Sequence, residues 1–530
     1  MTMKISENML LLFSQSSANQ WLLALGILSF PILYLFLLQR WKKKGIEGAA
    51  RLPPSPPKLP IIGNLHQLGK LPHRSLSKLS QEFGPVLLLQ LGRIPTLLIS
   101  SADMAKEVLK THDIDCCSRA PSQGPKRLSY NFLDMCFSPY SDYWRAMRKV
   151  FVLELLSAKR AHSLWHAWEV EVSHLISSLS EASPNPVDLH EKIFSLVDGI
   201  LNMFAFGKNY GGKQFKNEKF QDVLVEAMKM LDSFSAEDFF PSVGWIIDAL
   251  TGLRARHNKC FRNLDNYFQM VVDEHLDPTR PKPEHEDLVD VLLGLSKDEN
   301  FAFHLTNDHI KAILLNTFIG GTDTGAVTMV WAMSELMANP RVMKKVQAEV
   351  RSCVGSKPKV DRDDLAKLKY LKMVVKETFR MHPAAPLLIP HRTRQHCQIN
   401  ANGCTYDIFP QTTILVNAFA IGRDPNSWKN PDEFYPERFE DSDIDFKGQH
   451  FELLPFGAGR RICPAIAMAV STVEFTLANL LYCFDWEMPM GMKTQDMDME
   501  EMGGITTHRK TPFVSYQSNM VAWSNVKGAY

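Results

Sequence analysis

The sequence predicts a mainly α-helical protein with minor β structure: one large domain behind a short N-terminal membrane segment. Three observations carry this. A long apolar run from Asp308 to Met337 keeps helical character until Asn339-Pro340 ends it. Strand character is concentrated in Val86–Ser100, VLLLQLGRIPTLLIS, which reads as two short strands around a glycine-containing turn. No internal repeat and no Gly/Ser-rich linker divides the 530 residues, so one large domain is preferred over the two that length alone suggests.

Composition narrows the function classes. A hydrophobic fraction of 45% supports a large core. A formal net charge of +1 argues against bulk electrostatic binding of nucleic acid. The nine cysteines form no CxxC pair and are odd in number, which favours free thiols in a reducing compartment and argues against a zinc finger.

Residues 1–20 precede a charge-free stretch, WLLALGILSFPILYLFLL, that runs from Trp21 to Leu38 and is close to the length that spans a bilayer. Pro31 is tolerable in a membrane helix. Arg40, Lys42, Lys43 and Lys44 follow at once and, by the positive-inside rule, stay in the cytosol. A cleaved signal peptide would instead show a polar, small-residue cleavage site. Residues 21–39 are therefore expected to be an uncleaved anchor, with 1–20 lumenal. Residues 40–60 form a basic and proline-rich hinge containing LPPSPPKLP, a stiff polyproline-type spacer. The main domain then spans 61–530.

Within the domain, helical patterning after the first strands breaks near Pro121, near Pro139 and at Ser183–Pro186. Trp144 and Arg148 lie at i and i+4 on one helix face, where an indole N–H and a guanidinium suit an anion; a core tryptophan beside a solvated arginine is the plainer alternative. Inside the long apolar helix, Gly320 and Gly321 are adjacent, at a cost of about 1 kcal/mol each relative to alanine. Such a cost suggests that the backbone opens or that something approaches closely. Thr317, Gly320, Gly321 and Thr324 share one face, although a helix crossing packed through small residues gives the same pattern. Glu377 and Arg380 can pair at i, i+3, a weak signal alone.

The most informative stretch comes late: Pro455-Phe456-Gly457-Ala458-Gly459-Arg460-Arg461-Ile462-Cys463-Pro464-Ala465. The glycines let the loop turn tightly, and Pro464 suits the first turn of a following helix. Cys463 is thus placed to present a thiolate to iron, favoured by loop amides and the helix's positive end. A buried structural thiol is the competing interpretation.

This loop resembles the haem-binding signature of the cytochrome P-450 family, with Phe456, Gly459, Arg461 and Cys463 in register and Ala465 standing where the family has glycine. Gly320-Gly321-Thr322-Asp323-Thr324 resembles its oxygen-activation motif, with Gly325 where Ser or Thr is common. Glu377, Arg380 and Arg438, the last in Pro436-Glu437-Arg438-Phe439, match its structural charge network. Five motifs fall in the family's order, and wording such as NAFAIGRDP is similar to the plant A-type group.

The resemblance implies the cytochrome P-450 fold and a haem b with Cys463 as axial iron ligand. It places Phe456 beside the sulfur, and Trp144, Arg148, Arg461 and His391 at the propionates. The family often has Arg then Glu after Pro390, so His391 and Arg392 both remain candidates, with His391 the better match by position. It also implies a monooxygenase that consumes dioxygen, in which Thr324 holds dioxygen and a water while Asp323 helps relay protons. With no dinucleotide or flavin fingerprint in the chain, electrons are expected from NADPH through cytochrome P-450 reductase docked on the cysteine side near Arg460 and Lys149, with cytochrome b5 as an optional donor. Localisation would be the endoplasmic reticulum membrane, single-pass, with the catalytic domain cytosolic.

Two rivals stay open: a haem-thiolate isomerase or dehydratase, and a non-catalytic haem-binding protein. Phe132, Asn316, Thr317, Gly320, Leu387, Leu388, Ile505 and Thr506 are expected in the substrate pocket, which suits a lipophilic terpenoid, alkaloid or phenolic. The anchor is directly testable: deleting residues through Lys44 should weaken membrane attachment in fractionation. A truncated protein that partitions as the full chain does would rule out Trp21–Leu38 as the anchor.

Overall fold

The computed structural model describes residues 51–519 except 158–164, 209–213, 216–217, 282, 284, 299–302, 402, 489–491 and 493–495. The expected lumenal segment and membrane anchor lie outside the described residues.

Helices dominate, as expected. The strands and helices that position the site are β1 (Val86–Leu91), β2 (Ile94–Ile99), β3 (Ser118–Arg119), α1 (Asp142–Val150), α2 (Leu189–Phe206), α3 (Asn307–Ala338), α4 (Lys369–Met381), β4 (His391–Arg392), β5 (Thr413–Val416), α5 (Ile466–Cys483), β6 (Glu501–Met502) and β7 (His508–Arg509). The hairpin read from Val86–Ser100 is present, with its turn at Gly92, φ 59°. Strand order in the largest sheet is β1-β2-β5-β4-β3. β5 runs parallel to β2 and antiparallel to β4, and β3 pairs with β4 so that Arg119 stands opposite His391.

The hinge is less free than a spacer over its described part. Arg51 and Asp407 exchange two hydrogen bonds, of 3.0 and 2.8 Å. The Leu88 amide donates to the Pro54 carbonyl (2.8 Å), and Asn64 Nδ2 donates to that of Pro57 (3.2 Å). Residues 51–60 are thereby docked on the domain surface.

α3 threads the molecule and packs against α2, α4 and α5. Thr306 starts it with a capping box to His309, and Pro340 opens the next helix after Asn339. It is apolar on nearly every side because other elements surround it. α5 is long and apolar enough to cross a membrane by composition, but most of it is buried in the core beside α3.

On α4, the expected charge network is closed. Glu377 is fully buried and accepts from Arg380 Nε (2.7 Å) and Nη2 (2.8 Å), Arg438 Nε (2.9 Å) and the Tyr435 amide (2.8 Å). Arg380 spends its remaining donors on the carbonyls of Gly422, Pro431 and Glu433. Breaking a buried pair strands a charge, so Glu377→Ala should cost about 3–5 kcal/mol in unfolding free energy. Denaturant titration checks this, and a loss below about 1 kcal/mol would place the network outside the structural core.

Candidate functional site

A largely apolar cavity of about 320 Å³ lies between α3, α5, the 455–465 loop and the 384–391 segment. That volume is in the range of small-molecule and cofactor chambers. Cys463 lines it, as do Arg148, Asn316, Thr317, Gly320, Thr324, Leu388, His391, Phe456, Arg461, Ile505 and Thr506. The chain thus gathers residues more than three hundred positions apart around one space.

The cysteine loop turns as its glycines predict: Gly457 and Gly459 have φ of 68° and 66°. A Cβ on Gly459 would come within 2.2 Å of the Leu109 carbonyl oxygen, so only glycine fits. Ala465 has φ −98°, a conformation open to any residue, so its departure from the family's glycine costs no backbone strain. The Cys463 amide donates to the Phe456 carbonyl (3.0 Å), and the Phe456 ring packs edge-on against Phe379. Burial pushes the Cys463 thiol pKa up, while the Ala465 amide and the Arg148 charge pull it down. A cation that coordinates the sulfur would displace the proton.

At one end of the cavity the charges are unusual. Arg119, Arg148 and Arg461 all line it, and among the described residues none has a carboxylate within ion-pair distance. Arg461 donates to the carbonyls of Cys117 (2.8 Å), Met135 (3.2 Å) and Ser138 (2.7 Å). Arg119 donates to those of Cys136 (3.0 Å) and Ile389 (2.6 Å), and Arg148 to that of Ile462 (2.5 Å). Burial depresses all three guanidinium pKa values, that of Arg461 to about 9. Asp134 lies near enough to be felt electrostatically, but burial pushes its own carboxyl toward the neutral form. Three guanidiniums against one nearby carboxyl leave this end with an excess of positive charge, which suits the two propionates of a haem, while the neighbouring thiol suits its iron.

His391 and Arg392 separate cleanly. His391 lines the cavity and binds the Cys116 carbonyl through Nδ1 (3.1 Å), leaving Nε2 for a ligand, whereas Arg392 does not line it. Burial and the charges of Arg119 and Arg461 hold the His391 pKa well below the usual histidine value, so the ring is neutral, its one N–H is on Nδ1 toward Cys116, and Nε2 is an acceptor.

Several expected residues take other positions. Trp144 does not line the cavity: its Nε1 donates to the Met135 carbonyl (2.9 Å), and its ring lies under the Arg461 guanidinium at 4.1 Å. It orients a cation through a cation–π contact and does not face the ligand space. Leu387 packs on the β1–β2 side, because Leu388 at φ 52° reverses the chain and only Leu388 reaches the cavity. Phe132 ends a run of three left-handed residues, Tyr130 to Phe132, and stands outside the lining. Asn316 reaches the wall, but its amide is engaged mainly by the 134–136 segment. Its oxygen accepts from the Met135 (2.9 Å) and Cys136 (3.1 Å) amides, and its nitrogen donates to Asp134 (3.0 Å). It clamps α3 to the loop whose carbonyls hold Arg119 and Arg461.

The paired glycines divide their duties. A Cβ on Gly320 would meet nothing within 4 Å, so it opens a groove on the cavity, whereas one on Gly321 would press Leu201 of α2 at 2.7 Å. The helix-crossing explanation holds for Gly321, the opening for Gly320. Thr324 donates to the Gly320 carbonyl (2.8 Å), which leaves its lone pairs directed to acceptor duty in the cavity wall. Asp323 is buried off the cavity, bound to Thr506 and His508.

Arg119 was not singled out from sequence. Its partners are main-chain carbonyls, and its place opposite His391 is a matter of strand register, so no local spacing signals it.

The cytochrome P450 family model matches residues 53–516. A 2-methylbutanal oxime monooxygenase of Manihot esculenta is 52% identical over 93% of this chain and 95% of its own length. A 4-hydroxyphenylacetaldehyde oxime monooxygenase of Sorghum bicolor is 51% identical over 95% and 96%. Cytochrome P450 71B34 of Arabidopsis thaliana is 49% identical over 94% and 98%. A zebrafish cytochrome P450 structure with progesterone superposes with a TM-score of 0.72 at 23% identity, covering 84% of this chain and 99% of that one.

Cys463→Ser should abolish the thiolate Soret band of the reduced-CO complex. Absorbance spectroscopy of purified protein checks this, and an unchanged band would require another ligand.

Proposed function

Because this chain belongs to the cytochrome P450 family, a family of haem-thiolate monooxygenases, we propose that its substrate is a small plant aldoxime with an apolar tail. The observation that carries this is the likeness to two oxime monooxygenases, each above 50% identity over nearly the whole chain. The cavity is compatible with it. Val197, Leu201, Phe204, Met228 and Leu288 give an aliphatic and aromatic wall for a tail. Thr317 donates to the Ile313 carbonyl (3.1 Å), so its oxygen remains free to accept the N–OH proton of an aldoxime.

When bound, haem supplies the reductive activation of dioxygen, with one oxygen atom delivered to substrate and the other leaving as water. The chain's own residues do the remaining work. Cys463 holds the iron, with Phe456 shielding the sulfur. Arg119, Arg148 and Arg461 would neutralise the propionates, and neutral His391 fixes the Cys116 carbonyl beside them through Nδ1–H. Gly320 leaves room on α3, the apolar wall excludes water, and Thr324 positions a water there. Asp323 supplies protons to that region.

Electrons reach the family's enzymes from a redox partner. Here the proposed partner is NADPH-cytochrome P450 reductase, with cytochrome b5 as an optional second donor. Lys149, in the last turn of α1, and the half-exposed Arg460 of the cysteine loop, paired with Asp113 at 2.7 Å, are the basic residues proposed for that docking. The proposed site of action is the endoplasmic reticulum membrane, reached through residues 21–39.

Microsomes carrying this protein and reductase should convert aliphatic or aromatic aldoximes and show a substrate-induced spin shift with them. Turnover of terpenoids, alkaloids or phenolics alongside inert aldoximes would overturn the substrate assignment, with mass detection of the products as the measurement.

A further inference from the structure

We propose that Thr506 and His508 complete a proton inlet through Asp323, with His508 at the solvent end and Thr506 at the cavity end. The inference rests on the monooxygenase reading and concerns only how protons reach the cavity.

Asp323 neighbours Thr324 in sequence but does not line the cavity, so its carboxylate needs an intermediary. The strand pair β6–β7 provides one. Thr506, in the connection between the two strands, donates its hydroxyl to Asp323 Oδ2 and itself lines the cavity. His508, on β7, places Nε2 3.0 Å from the same oxygen and 3.1 Å from Thr506 Oγ1. The His508 side chain is 21% exposed, against 11% for that of Asp323. One carboxylate oxygen therefore joins a partly exposed imidazole to a hydroxyl in the cavity wall.

The arrangement also answers the missing hydroxyl at Gly325. A second hydroxyl reaches the acid from another element, more than 180 positions along the chain. Facing His508 from α2 are His190, with ring centroids 6.4 Å apart, and Phe194, stacked at 5.8 Å. Asp188 and Arg509 are the other charged groups felt in this neighbourhood, and Arg509 is held by the Asp498 carbonyl. Asp323 is the carboxylate in contact with His508.

The proton balance is simple. A solvent proton adds at His508 Nδ1, and the Nε2 proton passes to Asp323 Oδ2. Once Asp323 is protonated, the Thr506 hydroxyl turns from Oδ2 toward a water at the cavity wall, and Asp323 hands its proton to Thr506 Oγ1 as the hydroxyl proton moves to that water. One proton enters and one leaves; the redox partner supplies electrons separately.

The test uses the full-length chain reconstituted with reductase. His508→Gln and Thr506→Val should keep haem content and the reduced-CO band. Each should lower product formed per NADPH by about tenfold, less than the roughly 10²–10⁴-fold typical of a positioned proton-transfer group because water substitutes in part, with peroxide making up the difference. Thr506→Ser should restore coupling, which a purely space-filling role for the side chain does not predict for a loss seen in Val. An arm independent of turnover reads ¹⁵N-histidine spectra of the diamagnetic reduced-CO form, assigned through His508→Gln. Asp323→Asn should move the His508 Nε2 resonance. Wild-type coupling in both His508→Gln and Thr506→Val, haem loss in both, or an unmoved Nε2 resonance would overturn the inlet. Wild-type protein that consumes no NADPH would count instead against the monooxygenase reading, and the spectral arm would still decide the contact.

Discussion

Two buried guanidinium groups and a third half-buried one stand beside one thiol, held mainly by main-chain carbonyls and with no carboxylate in ion-pair contact among the described residues, so a ligand is the natural source of charge balance there. Carbonyl dipoles orient Arg119, Arg148 and Arg461 but do not cancel their charge, and desolvation depresses each pKa. The surrounding structure serves that constraint. The segment 134–138 turns its carbonyls toward the arginines while its amides are tied back to Asn316 and Asp134. Trp144 supports Arg461 from below, and the register of β3 against β4 sets Arg119 opposite His391. A dianionic cofactor would complete this cluster electrostatically.

The Glu377 network is the opposite case. There the buried carboxylate finds two guanidiniums and a main-chain amide, and the leftover donors are spent on carbonyls. A fully compensated network of this kind resists change because every removal strands a partner. The two arginine clusters thus have different roles, and the difference is whether a carboxylate stands in direct contact with the guanidiniums.

α3 joins the two ends of the chemistry. Asn316 clamps it to the arginine-holding loop, Gly320 opens it to the cavity, Gly321 seats it against α2, and Asp323 connects it to the hairpin that carries Thr506 and His508. One helix turn therefore carries a packing residue, an opening and an acid, each facing a different neighbour.

Much of this was legible in the sequence where the signal is local. The β1–β2 hairpin, the limits of α3, the Glu377–Arg380 pairing and the cysteine loop with its two left-handed glycines follow from periodicity, capping and backbone conformation, which depend on residues a few positions apart. Tertiary structure decided what the side chains face. Trp144 supports an arginine instead of meeting the ligand, Asn316 spends its amide on a loop, Leu387 yields the wall to Leu388, and Arg119 enters the site unannounced. Their partners are backbone carbonyls or distant strands, and neither carries a side-chain signature that spacing could reveal. The residue types and the motif order belong to the sequence; which atom faces the cavity belongs to register and packing.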